Sequence, residues 1–527
     1  MGNYLNPAST KFQMSLRSDI YVDKSELIEV INQMIGKEQR YVCVSRPRRF
    51  GKSMAANMLA AYYGCGEDTS ALFKKLKINR CSSYLEHLNQ HDVLLLNMQE
   101  FLSRTKSVKD MLARMEHFLI LELRNQYPDV LLLDEADLIQ VMKDISVSQK
   151  RTFIILIDEW DCLFREYKND VEAHKEYLDF LRVWLKDQAY VGLAYMTGIL
   201  PIKKYGTHSA LNMFSEYSMV NLGKLVPYFG FTEEEVQRLC MDYDMSFEET
   251  QSWYDGYQFK HPNGELISIY SPQSVVESML NHSFQNYWNQ TETYEALRMY
   301  IQMNMDGLKD AVVTMLAGGR VRINTGKFSN DMTTFSGKDD VLTLLVHLGY
   351  LTYDMNSSMA AIPNREVRQE YKNSIEDLGW DGVMRSLNDS QKLLQALWNL
   401  DAKAVAKGIE KTHQEVSILQ YNDENALSYT INLAFYAARE YYNVFRELPS
   451  GRGFADICLI PRKLYSDKPA VVIEPKWDKS AVGAIAQIKE RQYVNTLSEY
   501  CGNILLVGVN YDRKKKTHTC VIENAEI

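Results

Sequence analysis

Short apolar runs alternate with longer amphipathic stretches through the first 225 residues of this 527-residue chain. The runs YVCVS from Tyr41, DVLLLN from Asp92, FIILID from Phe153 and VGLAYMTG from Val191 are nearly continuous, as in strands buried on both faces. Strands separated by helices predict an α/β domain with a mainly parallel sheet over residues 1–225. Residues 226–330 read as helical without a convincing strand, with Thr232 as an N-cap before Glu233, Glu234 and Glu235. Residues 338–375 read as helix, a stop at Gly349, strand YLTYD, turn MNSS, strand MAAIP and helix. A helical lid and winged-helix-like region over 226–375 is the expectation, followed by a helical connector over 376–420. From 421 to 527 the order is helix (424–440), strands YNVFREL, FADICLIP and AVVIEPKW, helix (480–500) and strand NILLVGVNY.

Composition bounds the class. Hydrophobic residues at 46% and charged residues at 24% exclude a disordered or fibrous chain, and the length predicts several domains. With 59 Lys and Arg against 68 Asp and Glu, the net charge of -9 argues against coating nucleic acid with the whole surface. The sum is uneven, because residues 441–527 hold 13 Lys and Arg against 10 Asp and Glu. The eight cysteines form no C-x-x-C pair, which excludes a zinc-finger spacing and fits reduced thiols. The first twenty residues lack a signal peptide's apolar stretch, Asn6 stands where a myristoylation signal wants Ser or Thr, and no run approaches the about 18 apolar residues of a membrane span. A cytoplasmic protein is expected.

The first strand ends in SRPRRFGKS, residues 45–53, and a helical pattern follows. Strand, loop and helix is the context of a phosphate-binding loop, whose N–H groups wrap polyphosphate while Lys52 meets the β and γ phosphates and Ser53 ligates Mg2+. Arg46 stands where G-x-x-x-x-G-K-[ST] requires the first Gly, and GKS alone also fits a solvated helix start. The strand Phe153 to Ile157 supplies a second element, ending in Asp158, placed to hold Mg2+ through water, and Glu159, placed to polarise the attacking water. Thr197 ends another strand and reads either as a γ-phosphate sensor or as an ordinary strand-end threonine.

In SRPRRFGKS, IDEWD, MTGILPIKK, YFGFTEEEV, SWYDGYQF, YSPQSV, HLGYLTYD and IPNREV the chain resembles the bacterial predicted AAA-ATPase family, whose members usually carry a C-terminal PD-(D/E)XK nuclease-like domain. The family pattern itself reads RPRRFGKS. The resemblance implies a P-loop NTPase fold with an ASCE/AAA-like parallel sheet, with ATP and Mg2+ as ligands. It implies that Arg46, Pro47, Arg48, Arg49, Phe50, Gly51, Lys52, Ser53 and Met54 line the nucleotide, and that Asp23 in YVDKS lies beside it. One of Arg46, Arg48 and Arg49 could neutralise transition-state charge, or they could simply pair with nearby carboxylates. AAA-like sites often take an arginine from a neighbour, which leaves a homo-oligomer or a protein partner open.

The order of elements in 424–512 is the αβββαβ core of the restriction-endonuclease-like fold. Its metal site needs an Asp at the start of the second strand and D/E-x-K on the third, where alternation puts both side chains on one face. Asp456, Glu474 and Lys476 stand at these positions, Asp456 and Glu474 as ligands of Mg2+ or Mn2+ and Lys476 as the group that activates water. Gln487 on the next helix and Glu424 on the preceding one could support them. A salt-bridged amphipathic strand accounts for the same pattern, and Pro475 could tilt Glu474 away from Lys476. The run RKKK at 513–516 fits a nucleic-acid backbone or a solvated turn. Two functions follow: an ATPase coupled to a Mg2+-dependent DNA nuclease, in a mobile-element or defence setting by resemblance, or a nucleotide-dependent switch or assembly module whose nuclease-like domain binds without cutting.

Overall fold

The computed structural model describes residues 2–202, 211–288, 294–303, 305–329, 335–378, 380–415, 424–450, 453–462, 465–491 and 503–525. The chain divides into two compact units, Met1–Thr293 with Arg322–Gln369 and Tyr294–Val321 with Glu370–Ile527.

In the first unit the apolar runs form β1 (Tyr41–Ser45), β2 (Asp92–Asn97), β3 (Phe153–Asp158) and β4 (Val191–Gly198), joined by the short β5 (Ser215–Tyr217). Their order is β2-β3-β4-β1-β5 and every pair is parallel. β1, β3 and β4 are buried at every position, which explains their continuous apolar text. β4 lies between β1 and β3, as in ASCE-type P-loop folds. The register sets Ser45 beside Gly198 and Asn97 beside Asp158, so the C-terminal ends of β1, β3 and β4 open on one edge, where parallel sheets bind ligands.

The expectation of an unbroken helical stretch over 226–330 is corrected. Besides the helices Glu233–Asp242, Phe247–Tyr254 and Pro272–Asn281, this stretch contains β6 (Phe231–Thr232), β7 (Tyr257–Lys260) and β8 (Leu266–Tyr270), an antiparallel sheet in the order β6-β8-β7. β7 alternates buried and exposed positions over only four residues, too few for periodicity to stand out. Thr232 does open its helix, and its N–H donates to Glu235 Oε2 at 2.9 Å. The chain passes between the units at β9 (Val321–Arg322). Beyond it, helix Lys338–His347, β10 (Thr352–Asp354), β11 (Met359–Ala361) and helix Arg365–Asp377 follow the expected order. Gly349 ends the first of these helices with φ +85°, and a Cβ there would stand 2.8 Å from Pro47 Cγ. Only glycine serves both demands.

The second unit carries β12 (Tyr442–Ser450), β13 (Gly453–Pro461), β14 (Ala470–Trp477), β15 (Ile504–Asp512) and β16 (Thr517–Asn524), in that order across one sheet. Only β14 and β15 run parallel. One face packs Ile457, Ile473 and Val507 against Leu394, Leu397, Ile409 and Leu427; the other packs Val472 and Leu506 against Ile485 and Ile488. The helices Asp381–Trp398 and Ala402–Glu415, read from sequence as a connector, thus share this core. The helix expected over 480–500 spans Ala481–Glu490, and residues 492–502 lie outside the described residues. β16 was not anticipated. Among the described residues no helix is long and apolar enough to cross a membrane.

Candidate nucleotide site and candidate nuclease site

At the β1 edge the chain turns through Arg49 (φ 62°) and Gly51 (φ 87°) into the helix Lys52–Tyr63. Left-handed geometry is costly for Arg49 and natural for Gly51, so the turn concentrates strain where a phosphate would sit at a helix N-terminus. Lys52 is buried, and its Nζ donates to the carbonyls of Arg46 and Pro47 at 2.8 Å each, folding the ammonium back on its own loop. Burial lowers its pKa, against the pull of Glu159, Asp161 and Asp158.

Those three carboxylates surround the end of β3. Asp158 Oδ1 accepts from Thr197 Oγ1 and from the Glu159 N–H, while Oδ2 accepts from none of the described residues. Glu159 takes φ 55° and leaves the strand direction. Its Oε2 pairs with Arg165, whose Nε stands 3.5 Å from the fully buried Asp161. Burial raises the Glu159 pKa, with Arg165 opposing it.

Arg46 has a different surrounding. It is fully buried, donates through Nη2 to Phe229 O at 2.9 Å, and lies 4.7 Å from the Phe50 ring and 4.9 Å from the Phe259 ring. Burial brings its pKa down to about 9. Tyr257 stacks edge-on against Phe50 and donates to Gly349 O at 2.6 Å. Two side chains of β7 and the end of the helix Lys338–His347 therefore back the loop.

In the second unit, Lys476 Nζ donates to Glu474 Oε1 at 2.7 Å and to Glu424 Oε1 at 3.3 Å. Gln487 Nε2 donates to the same Glu474 Oε1. Glu474 Oε2 is buried without a hydrogen-bond partner among the described residues. β13 pairs with β14 through Ile457 and Ile473, so the next residues on the two strands are Asp456 and Glu474. Burial pushes the Glu474 pKa up to about 7; Lys476 opposes and the Asp456 charge adds to it.

Residues 10–207 match the model of a predicted AAA-ATPase family, and residues 423–520 match that of the PD-(D/E)XK nuclease superfamily. The chain carries an AAA-ATPase-like domain and a PD-(D/E)XK nuclease-superfamily domain. An uncharacterized protein in the vnfD 5′ region of Azotobacter chroococcum mcd 1 is 24% identical over 282 residues, 52% of this chain and 51% of that protein. The chain thus spans about half the length of the curated relative it matches. Among solved structures, a Walker-type ATPase of Pyrococcus abyssi is 12% identical with TM-score 0.35, covering 66% of this chain and 94% of that one. Cdc6p from Pyrobaculum aerophilum is 8% identical with TM-score 0.28, covering 71% of this chain and 99% of that one.

In the ATPase-like domain, the expected residues have different surroundings. Lys52, Asp158, Glu159 and Thr197 converge at the sheet edge, while Ser53 and Met54 are exposed on the helix that begins there. Arg46, Pro47 and Phe50 turn into the core, and Arg48 and Arg49 are exposed. Arg46, considered from sequence as a transition-state cation or a carboxylate partner, is instead held by two rings and a carbonyl. Asp23 accepts the N–H groups of Ser25 and Lys77 at 2.8 and 2.7 Å and lines a cavity of about 180 Å³ with Lys24, Tyr228 and Arg238, to which residues 46–54 do not contribute. Arg165 and Asp161 were not singled out; the i,i+4 spacing in DCLFR was the available signal.

In the nuclease-superfamily domain, Glu474, Lys476, Gln487 and Glu424 form one hydrogen-bonded group, and the Asp456 charge acts on it. Pro475 does not separate Glu474 from Lys476. Among the described residues β13 pairs with β14 from Val471 to Ile473, and Pro475 lies beyond that stretch.

No group of three or more His, Cys, Asp or Glu among the described residues is arranged as a ready metal cage. Two carboxylates still fit Mg2+, which keeps several waters and takes one or two protein carboxylates. Glu474 Oε2, buried and unbonded, is the atom that such an ion would satisfy.

Proposed function

We propose that this chain is an ATPase whose C-terminal domain cuts DNA with Mg2+. Glu474 carries the reading: one oxygen is fixed by Lys476 and Gln487, and the other is buried with no hydrogen-bond partner among the described residues. A carboxylate held in this way is prepared for a cation. Asp456 and Glu474 would hold the metal, which when bound polarises the scissile phosphate and its attacking water. Lys476 would orient that water and meet the charge that develops on phosphate, with Gln487 and Glu424 fixing its surroundings.

DNA as the partner is supported by the exposed turn Arg513–Lys516. It follows β15 at the end that pairs with Lys476 and Trp477, and the Arg513 N–H donates to Asp478 Oδ1 at 2.7 Å. Four basic side chains beside the Glu474 edge suit a phosphate backbone. A mobile-element or defence setting would fit such an activity.

For the ATPase, Lys52 would leave its loop carbonyls for the phosphates, Ser53 and Asp158 would hold Mg2+, and Glu159 would orient water. Incubating the full chain with plasmid, linear and single-stranded DNA, with Mg2+ or Mn2+ and with or without ATP, tests the reading. Metal-dependent cleavage that disappears in Lys476→Ala and Asp456→Ala supports it. Tight DNA or partner binding without cutting under any condition favours the switch or assembly module instead.

A further inference from the structure

The sequence offers Arg46, Arg48 and Arg49 of the loop to the nucleotide site, but the fold brings a further arginine, Arg165, beside Glu159. Arg165 stands on the helical turn Cys162–Glu166 that follows β3 and is 10% exposed. Its Nε faces Asp161 at 3.5 Å. Asp161 is itself anchored: it is fully buried, and its Oδ2 accepts the N–H groups of Ile199 and Leu200 at 3.0 and 2.7 Å. Beyond Asp161, the guanidinium reaches Glu159 Oε2. It is also close enough to Lys52 for its charge to act on the ammonium.

The division of the Glu159 carboxylate is the telling detail. Oε2 is taken by Arg165, while Oε1 accepts from none of the described residues. A carboxylate tethered by one oxygen keeps a fixed direction for the other. Glu159 needs such a tether, because its backbone turns through φ 55° and its side chain is otherwise held by no hydrogen bond among the described residues. Two amides satisfy Asp161 Oδ2, and the guanidinium extends past Asp161 to give its hydrogen bond to Glu159.

We propose that Arg165 is a positioning residue of the ATPase site, fixed by Asp161 and holding Glu159 by one oxygen so that the other faces the attacking water. The proposal rests on Glu159 being the water-orienting base. No arginine from a second subunit is needed for this task.

The test is a double-mutant cycle in the full chain, with ATP turnover and nucleotide affinity measured separately. Arg165→Gln is expected to lower kcat by about 10- to 100-fold, the size of effect a misplaced catalytic group produces, with the Kd for ATP within about 2-fold of the parent. Arg165→Lys should recover part of the loss, which also shows that the fold survives a change at this position. In the Glu159→Gln background, Arg165→Gln should cost nothing further. Unchanged kcat, losses that multiply in the double variant, or a change confined to ATP affinity would each overturn the proposal. Wild-type hydrolysis by Glu159→Gln alone would instead remove the base assignment, a failure distinguishable from that of Arg165.

Discussion

Lys476 donates to Glu474 at 2.7 Å across the proline that separates them in sequence. The strand is extended enough for both side chains to share a face, and among the described residues the pairing of β14 with β13 runs from Val471 to Ile473, short of Pro475. Replacing it with alanine should therefore leave the pair intact. Pro475→Ala is expected to keep DNA cleavage within about 3-fold of the parent while costing about 1–2 kcal/mol of stability, because the ring is buried in β14 and loses apolar contact. Parallel cleavage assays and urea melts check both.

The two acidic and basic ends of the nucleotide site should separate binding from hydrolysis. Lys52→Ala removes the ammonium that folds onto the carbonyls of Arg46 and Pro47, and is expected to abolish ATP binding. Glu159→Gln should bind ATP normally and hydrolyse it at least about 100-fold more slowly, as for loss of a general base. Fluorescent-nucleotide titration beside phosphate release distinguishes these outcomes. Unchanged hydrolysis in Glu159→Gln would remove the assignment.

Restoring the glycine that other phosphate loops carry should harm this one. Arg46 fills the space between Phe50 and Phe259 and satisfies Phe229 O, so Arg46→Gly leaves a cavity and an unbonded carbonyl. A loss of about 3 kcal/mol is expected, the scale of large-to-small core substitutions with a lost cation–π contact. Denaturant unfolding of the variant measures it, and an unchanged midpoint would contradict the structural role.

Asp255 gives the fold a pH dependence. Burial raises its pKa from the ordinary 3.8 to about 6, and Oδ1 is buried without a hydrogen-bond partner among the described residues. Below about pH 4 the carboxyl is neutral in both states and costs nothing. As pH rises through the folded value of about 6, the unfolded chain has already ionised, so the stability tied to the neutral form is lost. Asp255→Asn should stabilise the protein by about 1–2 kcal/mol at pH 8, after discounting for partial exposure, with no gain at pH 4. Melts at the two pH values decide it.

Much of this was legible in the text of the chain, for identifiable reasons. Phe153–Asp158 and Val191–Gly198 are buried on both faces and so carry long apolar runs that end at the candidate side chains Asp158 and Thr197. Glu474 and Lys476 follow from strand alternation alone. The hairpin of β7 and β8 was hidden because Tyr257–Lys260 alternates over a single short span between helices. The burial of Arg46 could not be read locally, since Phe229 and Phe259 approach it only through the tertiary fold. Arg165 was masked by its ordinary i,i+4 spacing to Asp161, which a solvated helical turn would show equally.

The central claim is that Asp456, Glu474 and Lys476 form a metal-dependent nuclease site. Its most direct test is cleavage of DNA by the full chain in Mg2+, beside Asp456→Ala and Lys476→Ala of unchanged melting temperature. The site predicts cleavage that requires the metal and is lost in both variants. Cleavage retained in either variant, or none from the parent with any DNA form in Mg2+ or Mn2+, with or without ATP, would contradict it.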